Sequence, residues 1–432
     1  MRFSNATILA LAAAAVLLAA RPTDGWAQSS LLLPADDPAY AHLAALSMRG
    51  AHSEGAALDV LPWSNGGIGA FAASAPDGTL SRLADDLLRA AGPRRPDDAT
   101  EGSSVVGFRL RTGLRAASQK RLDLIRLQPE RDVGLYPFVH LEPFLEAGNW
   151  SAVLGARHDV YYDQDPDAFD TALRLMVRME NAYVRYDGPL FGAMVGRTHR
   201  HWGLYDRPGL ILSSNPRPMD QIAFRIGPDR VHVRTVLSEL DSITADGRFT
   251  GTAGADSVAV GSERRFLAAH HLSFRVSPAL SFRLSHATLY SGAGSGISLK
   301  YLNPMNVAIF ETDNLPKNDE NNGFVAASML YAGHGLLVHL EGALDDFDLA
   351  SREEPSSLSA TGFVSFADLL PDTDVSAGIT VVTSRAYNAP QPEGTYLYLG
   401  RGIGTEWSDY VHMQLEARWY GLLQARGLIV SP

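Results

Sequence analysis

Residues Phe108–Arg115 read FRLRTGLR, and the two faces of this stretch have opposite chemistry. Successive side chains of a strand point to opposite sides, so Phe108, Leu110, Thr112 and Leu114 share one face, and Arg109, Arg111 and Arg115 share the other. A strand of a soluble sandwich alternates too, with its polar side in water. Here arginines run through the middle of the strand while the opposite face stays apolar. That is the pattern of a wall with lipid on one side and an enclosed polar space on the other.

The arrangement recurs along the chain. Leu173, Leu175, Val177 and Met179 stand against Arg174, Arg178 and Glu180, and Val231, Val233 and Thr235 against His232 and Arg234. Leu272, Phe274 and Val276 oppose His271, Ser273 and Arg275, while Phe282, Leu284 and His286 oppose Ser281, Arg283 and Ser285. Val338, Leu340 and Leu344 alternate with His339, Glu341 and Asp345, and Leu415, Ala417 and Trp419 with Gln414, Glu416 and Arg418. Tyr161, Tyr162, Tyr290, Tyr396, Tyr398 and Tyr420 lie near the ends of such runs, where membrane barrels carry aromatic girdles.

Short turns, such as those at Tyr186–Pro189, Ser277–Pro278 and Ala332–Gly335, separate some runs. Long polar stretches at Asp241–Glu263, Glu311–Asn322 and Arg352–Ser359 separate others. Short turns at one end and long loops at the other suit an antiparallel transmembrane β-barrel; at about 20 residues per strand with its connection, residues 104–432 provide about 14–18 strands.

Ahead of the barrel the period is different. Ala6–Ala20 is an apolar run preceded by Arg2 and followed by the small residues Gly25 and Ala27, so residues 1–27 are expected to be a secretory signal peptide. Residues 28–103 are expected to form a short helical periplasmic or plug segment and a linker. One helix is predicted over Ala39–Met48 with Asp36 or Asp37 as its cap and another over Leu80–Ala91, the two joined by a Gly- and Ser-rich loop, with Pro93–Ser103 as linker.

The 432-residue chain has a net charge of −11, and removing the predicted leader makes it more negative, which argues against nucleic acid as a partner. It has no cysteine, so neither disulfides nor thiolate chemistry can enter the account. GxSxG, HExxH and a phosphate loop are all missing, and no catalytic role and no cofactor is expected.

The densest polar stretch is Gly196–Arg217, GRTHRHWGLYDRPGLILSSNPR. Arg197, His199, Arg200, Trp202, Arg207 and Arg217 are the candidate ligand-binding residues, because forked guanidinium groups hold carboxylates and hydroxyls and aromatic rings stack on sugar faces. His199 and His201 have the spacing of a metal pair, but arginines surround them and no third ligand is evident, so they are expected to be polar lumen residues. Asp345 and Asp346 are expected to be a solvated strand end rather than a calcium loop. Arg109, Arg111, Arg115, Arg174, Arg178, Arg185 and Arg197 are predicted to share the lumen, either facing a ligand or pairing with acids across it.

Several motifs carry a resemblance. GRTHRHWGLYDRPGLILSSNPRPMDQIAFR, YLNPMN at Tyr301–Asn306, ENNGFVAASMLYAG at Glu320–Gly333 and LEGALDDFDL at Leu340–Leu349 resemble the capsule-assembly Wzi family of bacterial outer-membrane proteins, as does LPADDPAYAHLAAL near the N-terminus. The resemblance implies an 18-stranded barrel partly plugged by helices, acting as a non-catalytic surface lectin that holds capsular polysaccharide at the outer membrane. The chain end, GLLQARGLIVSP, lacks the terminal aromatic common in such barrels, which leads to an expectation of either a truncated chain or a barrel with fewer strands. The expected partners are therefore surface polysaccharide and outer-membrane lipid, with the chain a monomer. The other function compatible with the residues is a diffusion porin for anionic or sugar solutes.

Overall fold

A computed structural model describes residues 29–35, 37–52, 57–75, 81–91, 104–117, 134–159, 177–242, 264–292, 296–306, 320–345, 357–389, 392–420 and 428–429. The predicted leader, the linker, Tyr161, Tyr162, Arg174, Asp346 and most of the chain end lie outside these residues, as does the side chain of Arg115.

One antiparallel sheet dominates. Its strands are β1 (Ser104–Ala117), β2 (Gly134–Ala147), β3 (Trp150–Asp159), β4 (Val177–Asp187), β5 (Phe191–Thr198), β6 (Met219–Ile226), β7 (Val231–Glu239), β8 (Arg264–Arg275), β9 (Leu280–Gly292), β10 (Glu320–Gly333), β11 (Leu336–Leu344), β12 (Leu358–Leu370) and β13 (Thr373–Val382). A two-residue pair, β14 (Leu397–Tyr398) and β15 (Arg401–Gly402), stands apart, and β16 (Tyr410–Trp419) and β17 (Leu428–Ile429) complete the main sheet. Each strand pairs with the next in the order β1 to β13, β16, β17, giving 15 strands among the described residues, within the expected range. Short turns and long connections alternate strictly, so all the short turns share one end, the periplasmic end in outer-membrane barrels.

Among the described residues no bridge joins β1 to β17, but the sheet curls around a common plug. Arg111 of β1 pairs with Asp37 at 2.7 Å, and Arg418 of β16 donates to the carbonyl of Ala41 at 2.8 Å, so the two ends of the sheet meet four residues apart on one segment.

The alternation read from FRLRTGLR is realised. Val106, Phe108, Leu110 and Leu114 are 79, 70, 58 and 69% exposed on the outer face. On the inner side Arg109 pairs with the buried Glu142 of β2. Aromatic contacts ring the outer wall near the short turns: Trp150 against Tyr186, Tyr186 against Phe191, and Phe274 stacked on Phe282. Two tyrosines expected in such a girdle are elsewhere. Tyr396 is fully buried inside, and Tyr420 donates to Asp374 at 2.7 Å, because loop residues that fold inward escape the strand period.

The helical segment seals the short-turn end. Pro38–Tyr40 forms a 3-10 turn capped by Asp37, which accepts from the Ala39 amide at 3.0 Å, and leads into α1 (Ala41–Met48). The predicted loop after it contains a helix, α2 (Asn65–Ala73), ahead of α3 (Ser81–Ala91). Three glycines in NGGIGAFAA hide α2 from propensity, but the Ser64 hydroxyl caps it by accepting from Gly67 N, and Ile68, Phe71 and Ala72 are buried. Arg49, just after α1, locks the segment to the β12–β13 turn through Asp368 and Asp374. Among the described residues no helix is long and apolar enough to cross a membrane.

On the outer wall one further segment, residues 296–306 with the one-turn helix α4 (Leu299–Leu302), lies over β7–β9. There His270 of β8 donates to the Tyr301 carbonyl (2.8 Å) and accepts from Thr235 (2.9 Å), while His286 of β9 donates to the Pro304 carbonyl (3.1 Å).

Leu110 supplies a test of the outward face. Leu110→Arg is expected to destabilise the bilayer-inserted barrel by about 2–4 kcal/mol, measured by denaturant unfolding in lipid vesicles; a cost below about 1 kcal/mol would mean that this side does not face hydrocarbon.

Candidate functional site

The lumen is filled rather than open. Residues 57–64 enter from the short-turn end, the β5–β6 loop (199–218) dives in from the other, and the two meet as an antiparallel bridge: Leu61 N donates to the His201 carbonyl at 2.8 Å and His201 N to the Leu61 carbonyl at 3.1 Å. Around that contact Leu32, Val60, Trp202, Leu210, Ile211 and Leu212 pack against inward wall residues such as Met194, Leu267, Leu289 and Phe324. The third contributor is the β13–β16 connection, whose Tyr387 and Tyr396 hydroxyls donate to the carbonyls of Leu210 (2.8 Å) and Ile211 (3.0 Å).

Ion pairs pin this core to the wall. Arg283 of β9, 3% exposed, reaches Asp59 at 2.9 Å and Glu341 of β11 at 3.1 Å, so one buried cation joins the incoming segment to two strands. Arg265 of β8 donates to the carbonyls of Glu393, Thr395 and Leu397 and lies 3.5 Å from Asp241, which anchors the opposite loop. Removing one partner of a buried pair leaves the other charge stranded in a low-dielectric site.

The six predicted site residues divide by location. Arg197 pairs with Asp220, exposed at the long-loop rim. Asp220 stands between the inward-facing Met219 and Gln221, so this pair lies on the outer side of the wall, and Arg197 does not share the lumen as expected. Arg217 and Arg197 both approach Tyr398 of the β14–β15 hairpin, and His199 is half-buried beside them in sequence. Trp202 is 1% exposed with its ring 4.4 Å from that of His271, so it packs the core and offers no face to a sugar. Arg207 is committed to Glu416 at 2.7 Å and lies over the ring of Phe363. Arg200 donates to Gln221 at 2.7 Å; burial, then Arg234 and Arg185, lower its pKa to about 9, which leaves it cationic at neutral pH.

Nor do the histidines of the stretch act as a metal pair. His201 donates from Nε2 to the Leu204 carbonyl (2.9 Å) and accepts at Nδ1 from Ser214 N (3.2 Å), and burial lowers its pKa to about 4, so the ring is neutral and both nitrogens are used. No group of three potential metal ligands converges among the described residues. Of the arginines expected to line the lumen, Arg109, Arg111 and Arg185 each pair with an acid, Glu142, Asp37 and Asp187. Residues that the sequence reading passed over, Asp59, Arg265 and Tyr387, do much of the positioning. Only Asp59 beside the Leu61–Trp63 run carried a local signal, an acid placed within an apolar segment.

A shallow recess opens at the short-turn end, between α1 and β12–β16, lined by Tyr40, Tyr205, Arg207, Asp374, Glu416 and Tyr420. Its charged groups are already paired with one another or with Arg49.

Asp59→Asn is expected to lower stability by on the order of 3 kcal/mol in detergent unfolding, because Arg283 then keeps only Glu341. Unchanged stability would show that the segment is held by apolar packing alone.

The sequence model of the family described as capsule assembly protein Wzi matches residues 146–346. Among solved structures the chain is similar to Wzi of Escherichia coli, described as an outer-membrane protein involved in group 1 capsule assembly and a carbohydrate-binding β-barrel, with TM-score 0.56 and 14% identity over 90% of this chain and 82% of that one. OprB of Pseudomonas putida (TM-score 0.35, 11% identity, 74% of this chain and 86% of that one) overlaps less well. So does an anion-selective porin from Comamonas acidovorans (0.30, 10%, 71% and 96%). No curated protein sequence matches the chain. The family match across the central strands, the outward apolar wall and the barrel shared with the E. coli protein point the same way: the chain is an outer-membrane β-barrel whose central strands, residues 146–346, match the Wzi capsule-assembly family.

Proposed function

We propose that the chain binds surface polysaccharide noncovalently at its long-loop end and holds it at the outer membrane, acting as a single chain and without cutting the polymer. The observation that carries this reading is the closed interior: a barrel whose two inward segments bond to each other at Leu61 and His201 is built to present a surface, not to conduct. E. coli Wzi, which shares the barrel, is described as carbohydrate-binding.

The contact surface is the rim. Arg197 and Arg217 lie within electrostatic reach of Tyr398, with His199 near Arg197 in sequence and the half-buried Trp407 beside Tyr410. Arg197 can exchange its exposed Asp220 partner for a sugar carboxylate at small cost, since an exposed pair contributes only about 0–1 kcal/mol. Arg200, Trp202 and Arg207 serve the same surface indirectly, by holding the loop from below.

Planar-bilayer recordings test the closed interior: no large steady conductance is expected, whereas a porin-sized open current would favour the diffusion pore. The rim is tested by Arg197→Ala with Arg217→Ala. Cell-bound polysaccharide should fall while released polymer rises in proportion, polymer length stays the same, and the barrel still migrates heat-modifiably on gels. Retention equal to that of the unaltered protein would exclude these residues.

A further inference from the structure

Among the described residues, several lumenal arginines face a carboxylate, and Arg200 and Arg234 differ from them. Arg109, Arg111, Arg185, Arg225 and Arg283 each face a carboxylate. Arg200 and Arg234 do not. Among the described residues Arg200 donates to neutral acceptors, Gln221 Oε1 at 2.7 Å and Met194 Sδ at 3.4 Å, and Arg234 of β7 donates to His232 Nε2 at 3.3 Å. Asp187 and Asp229, the acids whose fields reach Arg234, are already bonded to Arg185 (2.5 Å) and Arg225 (3.0 Å).

Two imidazoles complete the cluster. Because His232 Nε2 accepts from Arg234, the proton of its neutral ring belongs on Nδ1, a buried atom that the Asp229 backbone carbonyl approaches. His271 of β8 faces Arg234 directly in the strand register and is 1% exposed, and neither ring nitrogen has a partner among the described residues. Its ring lies between Trp202 (4.4 Å) and the edge of His232 (6.3 Å), and the charged groups around it are Arg283, Arg234 and Arg200, all cationic. Buried donors of this kind are normally satisfied, and uncompensated guanidinium groups in a wall of low dielectric are costly.

We propose that Arg200, Arg234, His232 and His271 form a lumenal binding site for an oxyanion, a carboxylate or a phosphate, lodged between the β5–β6 loop and the wall of β6–β8. Two forked cations and the ring N–H of His271 match an acceptor with several oxygens and a negative charge, and they leave no role for a neutral sugar hydroxyl alone. The site is separate from the rim residues and does not rest on the polysaccharide reading. Arg234 lies in the short-turn half of β7 and pairs in register with Arg225, which places the site in that half of the lumen. A bound anion would tie the loop that carries Trp202 to the wall, and so couple the filling of the lumen to a small ligand.

The test uses the full chain purified in detergent micelles, with thermal unfolding followed by tryptophan fluorescence in sodium phosphate, sodium glucuronate or sodium chloride at equal ionic strength. Phosphate, glucuronate or both should raise the unfolding temperature saturably over chloride. Response to phosphate alone identifies an inorganic or phosphoryl ligand, and response to glucuronate alone a sugar acid. Arg200→Gln and Arg234→Gln should each weaken the dissociation constant about tenfold, the loss of one charge-assisted contact, and the double variant should lose the shift. If the double variant does not assemble, His271→Phe, which keeps the ring stack on Trp202, provides the same comparison. Identical unfolding of the unaltered protein in all three salts overturns the proposal, and so does a full shift retained by the variants.

Discussion

Hydrocarbon on one side of the wall is the constraint from which the rest follows. It offers no hydrogen-bond partner, so every strand that crosses it must turn its polar side chains inward and pair its backbone with its neighbours. Phe108 and Leu110 stand outside and Arg109 and Arg111 inside for that reason alone. Moving the charges inward creates the second problem, since the interior must then neutralise them. Most of the lumen's structure is an answer to it: Glu142 beside Arg109, Asp37 beside Arg111, Asp59 and Glu341 on either side of Arg283.

Two of those acids belong to the N-terminal segment rather than to the wall, which explains why the barrel and its plug form one object. Asp37 and Asp59 bring α1 and residues 57–64 into the lumen, and the backbone bridge between Leu61 and His201 lets the incoming segment and the β5–β6 loop satisfy each other's amides and carbonyls away from water. With polar groups paired, the space that remains is filled by apolar side chains, and Trp202, Leu210–Leu212, Tyr387 and Tyr396 close it.

How much of this could be read from the sequence depends on whether the signal was local. The strand period is local, and FRLRTGLR showed both the fold and the direction of its faces. So is a helix cap, and Asp37 was visible as one. The helix at Asn65–Ala73 was not, because its glycines mask a helix held by burial and by Ser64. The Gly196–Arg217 stretch was recognisable as unusual but not interpretable residue by residue. Trp202 has the composition of a sugar platform and the environment of a core residue, and only the inward fold of the loop decides between them. Arg197 misled for a related reason: the alternation of β5 passes through Gly196, which has φ of 135°, and the register with Asp220 puts the arginine on the outer side. The pairing of Arg283 with Asp59, 224 positions apart, has no sequence signature at all.

The same constraint explains a patch of polarity on the outer wall. His270 and His286 stand directly opposite each other on β8 and β9 with their rings stacked at 4.6 Å, facing away from the lumen where lipid would leave them unsatisfied. Residues 296–306 return over them and accept their N–H groups through the carbonyls of Tyr301 and Pro304, while Tyr301 stacks on Tyr290 at 4.0 Å. What the segment turns outward is apolar again: Ile297, Leu299 and Met305 are 61, 80 and 81% exposed. A strap of backbone thus does outside what Asp37 and Asp59 do inside, matching each buried donor with an acceptor from another part of the chain. The YLNPMN run noticed in the sequence lies in that strap, and its proline supplies one of the two carbonyls that cover the histidines.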